Sequence, residues 1–209
     1  MRERRSSLPS LAAPVRGLAP LLFLGACAAL AGCARPQEGF KINNVSGLVA
    51  PLKLDMTSDQ GAPVTAGSFR HDVVLLYFGY TSCGDACPTT MATLANALRQ
   101  LGPKAARVRV LFVTVDPRRD SAAVLKRYLG NFGPEFIGLR GDASQLTALV
   151  KRYRVAYHYE QPDKDGDYVV DHSSAIFIFG PRGRARLLAQ LGATSQQLAA
   201  DVGRLLENG

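Results

Sequence analysis

An unbroken apolar run, Val73-Val74-Leu75-Leu76-Tyr77-Phe78, leaves no polar face for solvent and predicts a strand covered on both sides. Residues 108–115 form a second largely apolar run and predict its neighbour. Between the two, Met91, Leu94, Ala95, Leu98 and Leu101 recur at helical spacing. They predict a helix over 88–101, started by Pro88 and stopped by Gly102-Pro103. A second helix opens at Asp120 or Ser121 and turns Val124, Leu125, Tyr128, Leu129 and Phe132 to one face. Residues 136–139 read as a short strand, and Asp142 or Ser144 opens a helix with Leu146, Leu149, Val150 and Tyr153 inward.

After that point the period changes. Residues 155–160, 168–170, 175–179 and 185–190 read as strands, with Asp165-Gly166 and Arg182-Gly183 as turn signals between them. The last helix, over 195–207, directs Leu198, Val202, Leu205 and Leu206 to the sheet. Upstream, residues 52–56 and 63–65 flank Asp59-Gln60-Gly61 as an N-terminal hairpin. Strand–helix alternation followed by a C-terminal hairpin region predicts an α/β domain with a mixed central sheet flanked by helices, over 47–209. A domain of that size buries roughly 70% of its chain surface, enough for a proper core.

Composition removes several classes. Hydrophobic residues make up 47% of the chain and charged residues 20%, which excludes disordered, collagen-like and coiled-coil chains. The formal net charge of +8 includes Arg2, Arg4, Arg5, Arg16 and Glu3, which lie ahead of or at the edge of an uncharged run over 17–34. A basic start, a short apolar stretch and then small residues read as an export signal. The run ends in Leu30-Ala31-Gly32-Cys33, which resembles the bacterial lipoprotein cleavage box. The expectation is a signal peptide over 1–32, a lipid on Cys33 and a tether over 33–46. The rival is an uncleaved membrane helix, against which Pro20 and the alanine-rich second half speak. Either way the domain is exported and membrane-anchored, on the periplasmic or outer face of a bacterial membrane. The remaining positive charge suits an anionic surface. No zinc-finger or aromatic RNA-binding signature is present, so nucleic acid is not an expected partner.

Of four cysteines, Cys27 leaves with the signal and Cys33 takes the lipid, so Cys83 and Cys87 remain for chemistry. They stand in a loop after the first buried strand, at the strand end where open α/β sheets bind ligands. Four residues apart on a helical turn, their Cα atoms are roughly 6 Å apart. That spacing permits a disulfide, and equally two thiolates on one soft metal ion. The following helix N-terminus favours the thiolate. A structural disulfide explains little, because so short a loop constrains little. Asp85 either tunes the thiolates or bonds its own turn. Among the three histidines, His71 precedes a strand, His158 sits between Tyr157 and Tyr159, and His172 follows Asp171. Local sequence leaves His172 between ligation and an ordinary titrating role, and Asp171 between orienting that imidazole and capping a loop. Two thiolates with an imidazole make a soft set suited to Cu(I) or, with added ligands, Cu(II). Asp163-Lys164-Asp165-Gly166-Asp167 is not a calcium loop, because its glycine comes early and Ser174 stands where the closing glutamate belongs. Arg118-Arg119, Lys126-Arg127 and Lys151-Arg152 read as solvated faces.

Strand, cysteine loop and proline-started helix follow in the order of the thioredoxin superfamily. Here three residues separate the cysteines instead of two, and His172 stands where such redox proteins carry a proline. Phe78-Gly79-Tyr80-Thr81 into Cys83-x-x-x-Cys87-Pro88-Thr89-Thr90, Leu111-Phe112-Val113-Thr114-Val115-Asp116-Pro117-x-x-Asp120 and Asp171-His172-Ser173 closely resemble the SCO/SenC family, from about residue 50 to 207. Gly84 departs from that pattern, since family members often have proline there. The resemblance implies a thioredoxin-like fold and one copper held by Cys83, Cys87 and His172. It further implies delivery to the copper-centre subunit of cytochrome c oxidase or exchange with another copper chaperone. The rival reading is a thiol–disulfide oxidoreductase or peroxide-reducing thiol protein, with one cysteine attacking and the other resolving. His172 discriminates, because exchange chemistry needs only the cysteines.

Overall fold

The computed structural model describes residues 39–208, so the signal segment 1–32 and Cys33 lie outside the described residues. Along the chain come β1 (Asn43–Asn44), β2 (Asp55–Ser58), β3 (Pro63–Thr65) and β4 (Val73–Gly79), then α1 (Ala86–Leu101) and β5 (Val108–Thr114). Next are α2 (Ala122–Leu129), β6 (Phe136–Arg140), α3 (Ala143–Tyr153), β7 (Tyr157–Tyr159) and β8 (Val170–His172). The chain closes with β9 (Ile176–Phe179), β10 (Ala185–Ala189) and α4 (Ser195–Glu207).

The main sheet has the order β1-β10-β9-β4-β5-β6-β2-β3. Only β4–β5 and β5–β6 pair in parallel within it, so the sheet is mixed as expected. β4 is buried at every position, which is why its sequence shows no alternation. Tyr77 and Phe112 are register partners on one face, where they meet Cys87 of α1 and Tyr128 of α2. α4 packs beside α1. On the other face Tyr153 of α3 stacks on Phe177 and Phe179. No helix among the described residues is long and apolar enough to cross a membrane.

Local chemistry fixes the helix starts. Ser121 caps α2 through Val124 N–H, while Asp142 and Thr194 form capping boxes with Gln145 and Gln197. α1 begins at Ala86, two residues ahead of the expected Pro88, so Cys87 is helical and Cys83 is not. β7 and β8 pair in a separate two-stranded sheet, which places His172 inside a strand opposite Tyr157. The expected tether over 33–46 is shorter at its C-terminal end. Asn43 and Asn44 pair with Leu188 and Leu187, Ile42 is buried, and the Asp201 carboxylate accepts the N–H groups of Lys41 and Ile42 at 2.8 Å each. An edge strand of two asparagines has no apolar period to betray it.

Candidate metal centre

The parallel strands β4 and β5 end side by side, and their C-terminal loops build the site. Gly79 closes β4 where nothing larger fits: a Cβ there would lie 2.8 Å from Cys87 Sγ. The loop that follows is tied down by Asp120, which is wholly buried. Its carboxylate accepts Thr81 N–H at 3.0 Å, Thr81 Oγ1–H at 2.5 Å and Thr114 Oγ1–H at 2.6 Å. Because Ser121 caps α2, Asp120 is free to hold the cysteine loop against β5 instead. Cys83 therefore sits on an anchored loop, and Cys87 in the first turn of α1.

Cys83 Sγ, Cys87 Sγ and a ring nitrogen of His172 lie within 4.8 Å of one another. Cys87 Sγ is 3.4 Å from His172 Nε2, and Cys87 N–H, one of the free donors of the α1 N-terminus, points at Cys83 Sγ at 3.3 Å. An ion bonded at about 2.0–2.3 Å, usual for first-row metals on nitrogen and sulfur, spaces trigonal donors by about 3.5–4 Å. Cys87 Sγ and His172 Nε2 already stand at that spacing, and Cys83 Sγ lies within 4.8 Å of both.

Burial and hydrogen bonds set the charge states. Cys87 is inaccessible to solvent, and burial pushes its thiol up to about 12. The expected ease of thiolate formation at the helix N-terminus is thus overturned for Cys87, because desolvation outweighs the backbone and Tyr77 hydrogen bonds that favour the anion. Tyr77 donates its hydroxyl to Cys87 Sγ at 3.6 Å, and burial raises that hydroxyl far above its usual range, so it stays a donor. Burial lowers the His172 pKa and keeps the imidazole neutral. Its Nδ1–H lies 3.1 Å from the Ser173 carbonyl, which accepts it and leaves the Nε2 lone pair facing Cys87. The rings of Tyr77 and Tyr80 meet the imidazole edge-on at 6.0 and 5.9 Å, fixing its plane.

Two expected supporting residues are placed elsewhere. Asp171 is exposed, and the Ser173 carbonyl, not its carboxylate, orients the His172 ring. Asp85 is exposed at the N-cap of α1 without a capping bond, and accepts the Thr89 hydroxyl at 3.5 Å. His71 and His158 stay outside the cluster. Tyr77 escaped the sequence reading, and Gly79, Tyr80 and Asp120 entered it only as residues of the family motif, with no supporting role at the site. For Gly79 there was a physical signal as well, an isolated glycine ending an apolar strand. Arg119, read as solvated, instead pairs with buried Asp116 and lies 3.7 Å over the Tyr168 ring. In the rejected calcium loop, Asp163 Oδ1 accepts the N–H groups of Asp165 and Asp167 and so bonds its own turn.

Residues 52–207 match the family described as SCO1/SenC. The chain is 45% identical over 117 residues to the protein SCO2 homolog, mitochondrial, of Bos taurus, covering 55% of this chain and 44% of that relative. It spans about half the length of the curated relatives of this kind that it matches. Among solved structures, copper-bound ScoI of Bradyrhizobium japonicum shares 36% identity at a TM-score of 0.68, over 76% of this chain and 99% of that one. Copper-bound yeast Sco1 shares 28% identity at a TM-score of 0.69, over 77% and 90%.

Proposed function

The chain belongs to the SCO1/SenC family, and from that membership we propose that it is a copper carrier which loads the copper centre of cytochrome c oxidase during assembly. It has the thioredoxin-like fold of the Sco structures. One Cu(I) is the cargo, taken by Cys83 Sγ, Cys87 Sγ and His172 Nε2. The observation that carries this reading is the neutral imidazole locked by Ser173 with its lone pair turned to Cys87 Sγ, in one cluster with Cys83 Sγ. A soft ion replaces the Cys87 proton, and Tyr77 keeps a hydrogen bond on the resulting thiolate. Cys83, half-exposed, is the donor from which the ion is handed on. The copper-bound relatives support this cargo, and the Leu30–Cys33 box supports a lipid anchor on the outer side of a bacterial membrane.

An exchange enzyme fits less well. Exchange chemistry needs no imidazole, and the raised Cys87 thiol makes Cys87 a poor attacking group at neutral pH. Dithiol reduction of a partner, with Cys83 attacking, is compatible as a step that prepares the recipient. The test is a Cu(I) titration of the reduced protein against a competing chelator. One ion per chain is expected, bound more weakly by Cys83→Ala, Cys87→Ala and His172→Ala. Unchanged affinity in the His172 variant removes it from the site and leaves the oxidoreductase standing.

A further inference from the structure

The end of the sheet opposite the cysteines presents a different surface. β4 and β5 are parallel, so Arg70-His71-Asp72 and Arg107, which precede them, lie together there. The β9–β10 turn with Arg182 joins them, because Phe179 pairs with Val74. These three loops are knitted to one another. His71 N–H donates to the Pro181 carbonyl at 3.1 Å, and Arg107 Nη2 donates to the His71 carbonyl at 3.2 Å. His71 holds φ 73 to do so, a conformation costly for a residue other than glycine.

The loops enclose a cavity of about 580 Å³ whose wall includes Arg70, His71, Arg107 and Arg182. Asp72 is the carboxylate on that wall, and Arg109 already pairs with it at 3.4 Å. Arg70 and Arg182 are exposed and have no hydrogen-bond or ion-pair partner for their side chains among the described residues. Beside them the segment after β1 returns to the same end, where Leu52 N–H bonds the Gly183 carbonyl, and it leaves Leu48 82% exposed. At the cysteine end the β7–β8 connection carries Glu160, Asp163, Asp165 and Asp167 against Lys164, with Arg118 and Arg119 over the rings of Tyr159 and Tyr168 beside it.

We propose that the basic end docks on an anionic phospholipid surface, with a phosphodiester headgroup seated among Arg70, Arg107 and Arg182 and Leu48 entering the interface. Guanidinium groups match phosphate oxygens pairwise, and a cationic patch with a protruding aliphatic side chain is the composition of an interfacial binder. Protein hot spots join arginine to Trp and Tyr anchors and under-use leucine, and the exposed large hydrophobic residue at this end is a leucine. Docked this way, the domain turns Cys83, Cys87 and His172 away from the bilayer and its acidic hairpin with them. None of this rests on copper delivery.

The experiment uses residues 39–209, since the compact unit begins at Phe40 and 76% of this chain already covers 99% of the solved Bradyrhizobium relative. Reduced protein is sedimented with phosphatidylcholine vesicles, with and without one third phosphatidylglycerol. Binding is expected only to the anionic vesicles and is lost in high salt. Arg70→Gln, Arg107→Gln and Arg182→Gln should each lower the partition coefficient about fivefold, and the triple variant about a hundredfold. Leu48→Ala should weaken binding, Lys164→Gln should not, and Cu(I) affinity should stay unchanged throughout. Equal binding to both vesicles, or arginine variants that bind like the parent, overturns the proposal. Inorganic phosphate or polyglutamate binding through the same arginines, with no binding to vesicles, overturns it in favour of a free-anion or acidic-protein site.

Discussion

Replacing Gly79 by alanine tests how tightly the metal centre is packed from behind. The added carbon would lie 2.8 Å from Cys87 Sγ, 2.8 Å from Tyr77 Cε1 and 3.0 Å from Phe112 Cε2. Carbon contacts are optimal from about 3.5 Å, so each neighbour must yield by roughly 0.5–0.7 Å. All three are fully buried in an interior that is already close-packed. Overpacking of this kind costs about 1–3 kcal/mol. In a domain of this size, about 2 kcal/mol lowers Tm by about 4–8 °C. The two rings belong to paired strands in mid-sheet, whereas Cys87 lies in the first turn of a helix, so the sulfur should give most. Copper affinity should then fall by about 10–100-fold, as when a support of a metal ligand is removed. The assay is a thermal melt of reduced, metal-free protein beside a Cu(I) titration. An alanine variant with the parent's Tm and the parent's copper affinity would refute the argument, because it would show that the cavity behind Cys87 has room to spare.

Apparent Cu(I) affinity should rise with pH across the neutral range, by about tenfold per unit for each thiol proton released, because the buried Cys87 thiol binds its proton up to about 12. A pH-independent dissociation constant would contradict that. Asp120→Ala leaves Thr81 N–H and two hydroxyls without their acceptor and should cost about 2–4 kcal/mol in urea unfolding, with Asp120→Asn between it and the parent. Oxidising Cys83 and Cys87 to a disulfide removes both thiolate donors, so copper capacity should vanish and return with reductant. Tight Cu(I) binding by the oxidised protein would point to other ligands. Cys33→Ala should leave the product unlipidated, and mass spectrometry of a mature parent chain that starts elsewhere and carries no acyl group would exclude the anchor.

Elements that bury a whole face or both faces were legible in the chain. The run that became β4 and the periodic positions of α1 to α4 announce themselves, because burial dictates their residue types. The three proposed donors were legible by another route. Cys83 and Cys87 stand out by elimination, whereas His172 gains its role only through the family resemblance, since one histidine carries no pattern. What escaped was whatever acts through shape or through the main chain. Tyr77 looks like any other residue of an apolar strand, and its hydroxyl matters only because α1 starts two residues early and brings Cys87 beneath it. Asp120 looks like a cap, and Ser121 takes that part. The acceptor that fixes His172 is a backbone carbonyl, to which no side chain in the sequence corresponds.

The two-residue strand Asn43–Asn44 has a consequence for where this domain can be cut. It covers the outer edge of β10, whose N–H and C=O groups would otherwise stand open to a strand from another molecule. Its flanking amides are also the partners that Asp201 receives inside α4. A fragment trimmed to begin at residue 47 keeps the metal site and loses both, so it carries a buried carboxylate without donors and a bare aliphatic edge with Leu187 and Leu188. Self-association of such a fragment would be a property of the cut and not of the protein, and oligomeric states should be assigned only to chains that retain Lys41 to Asn44.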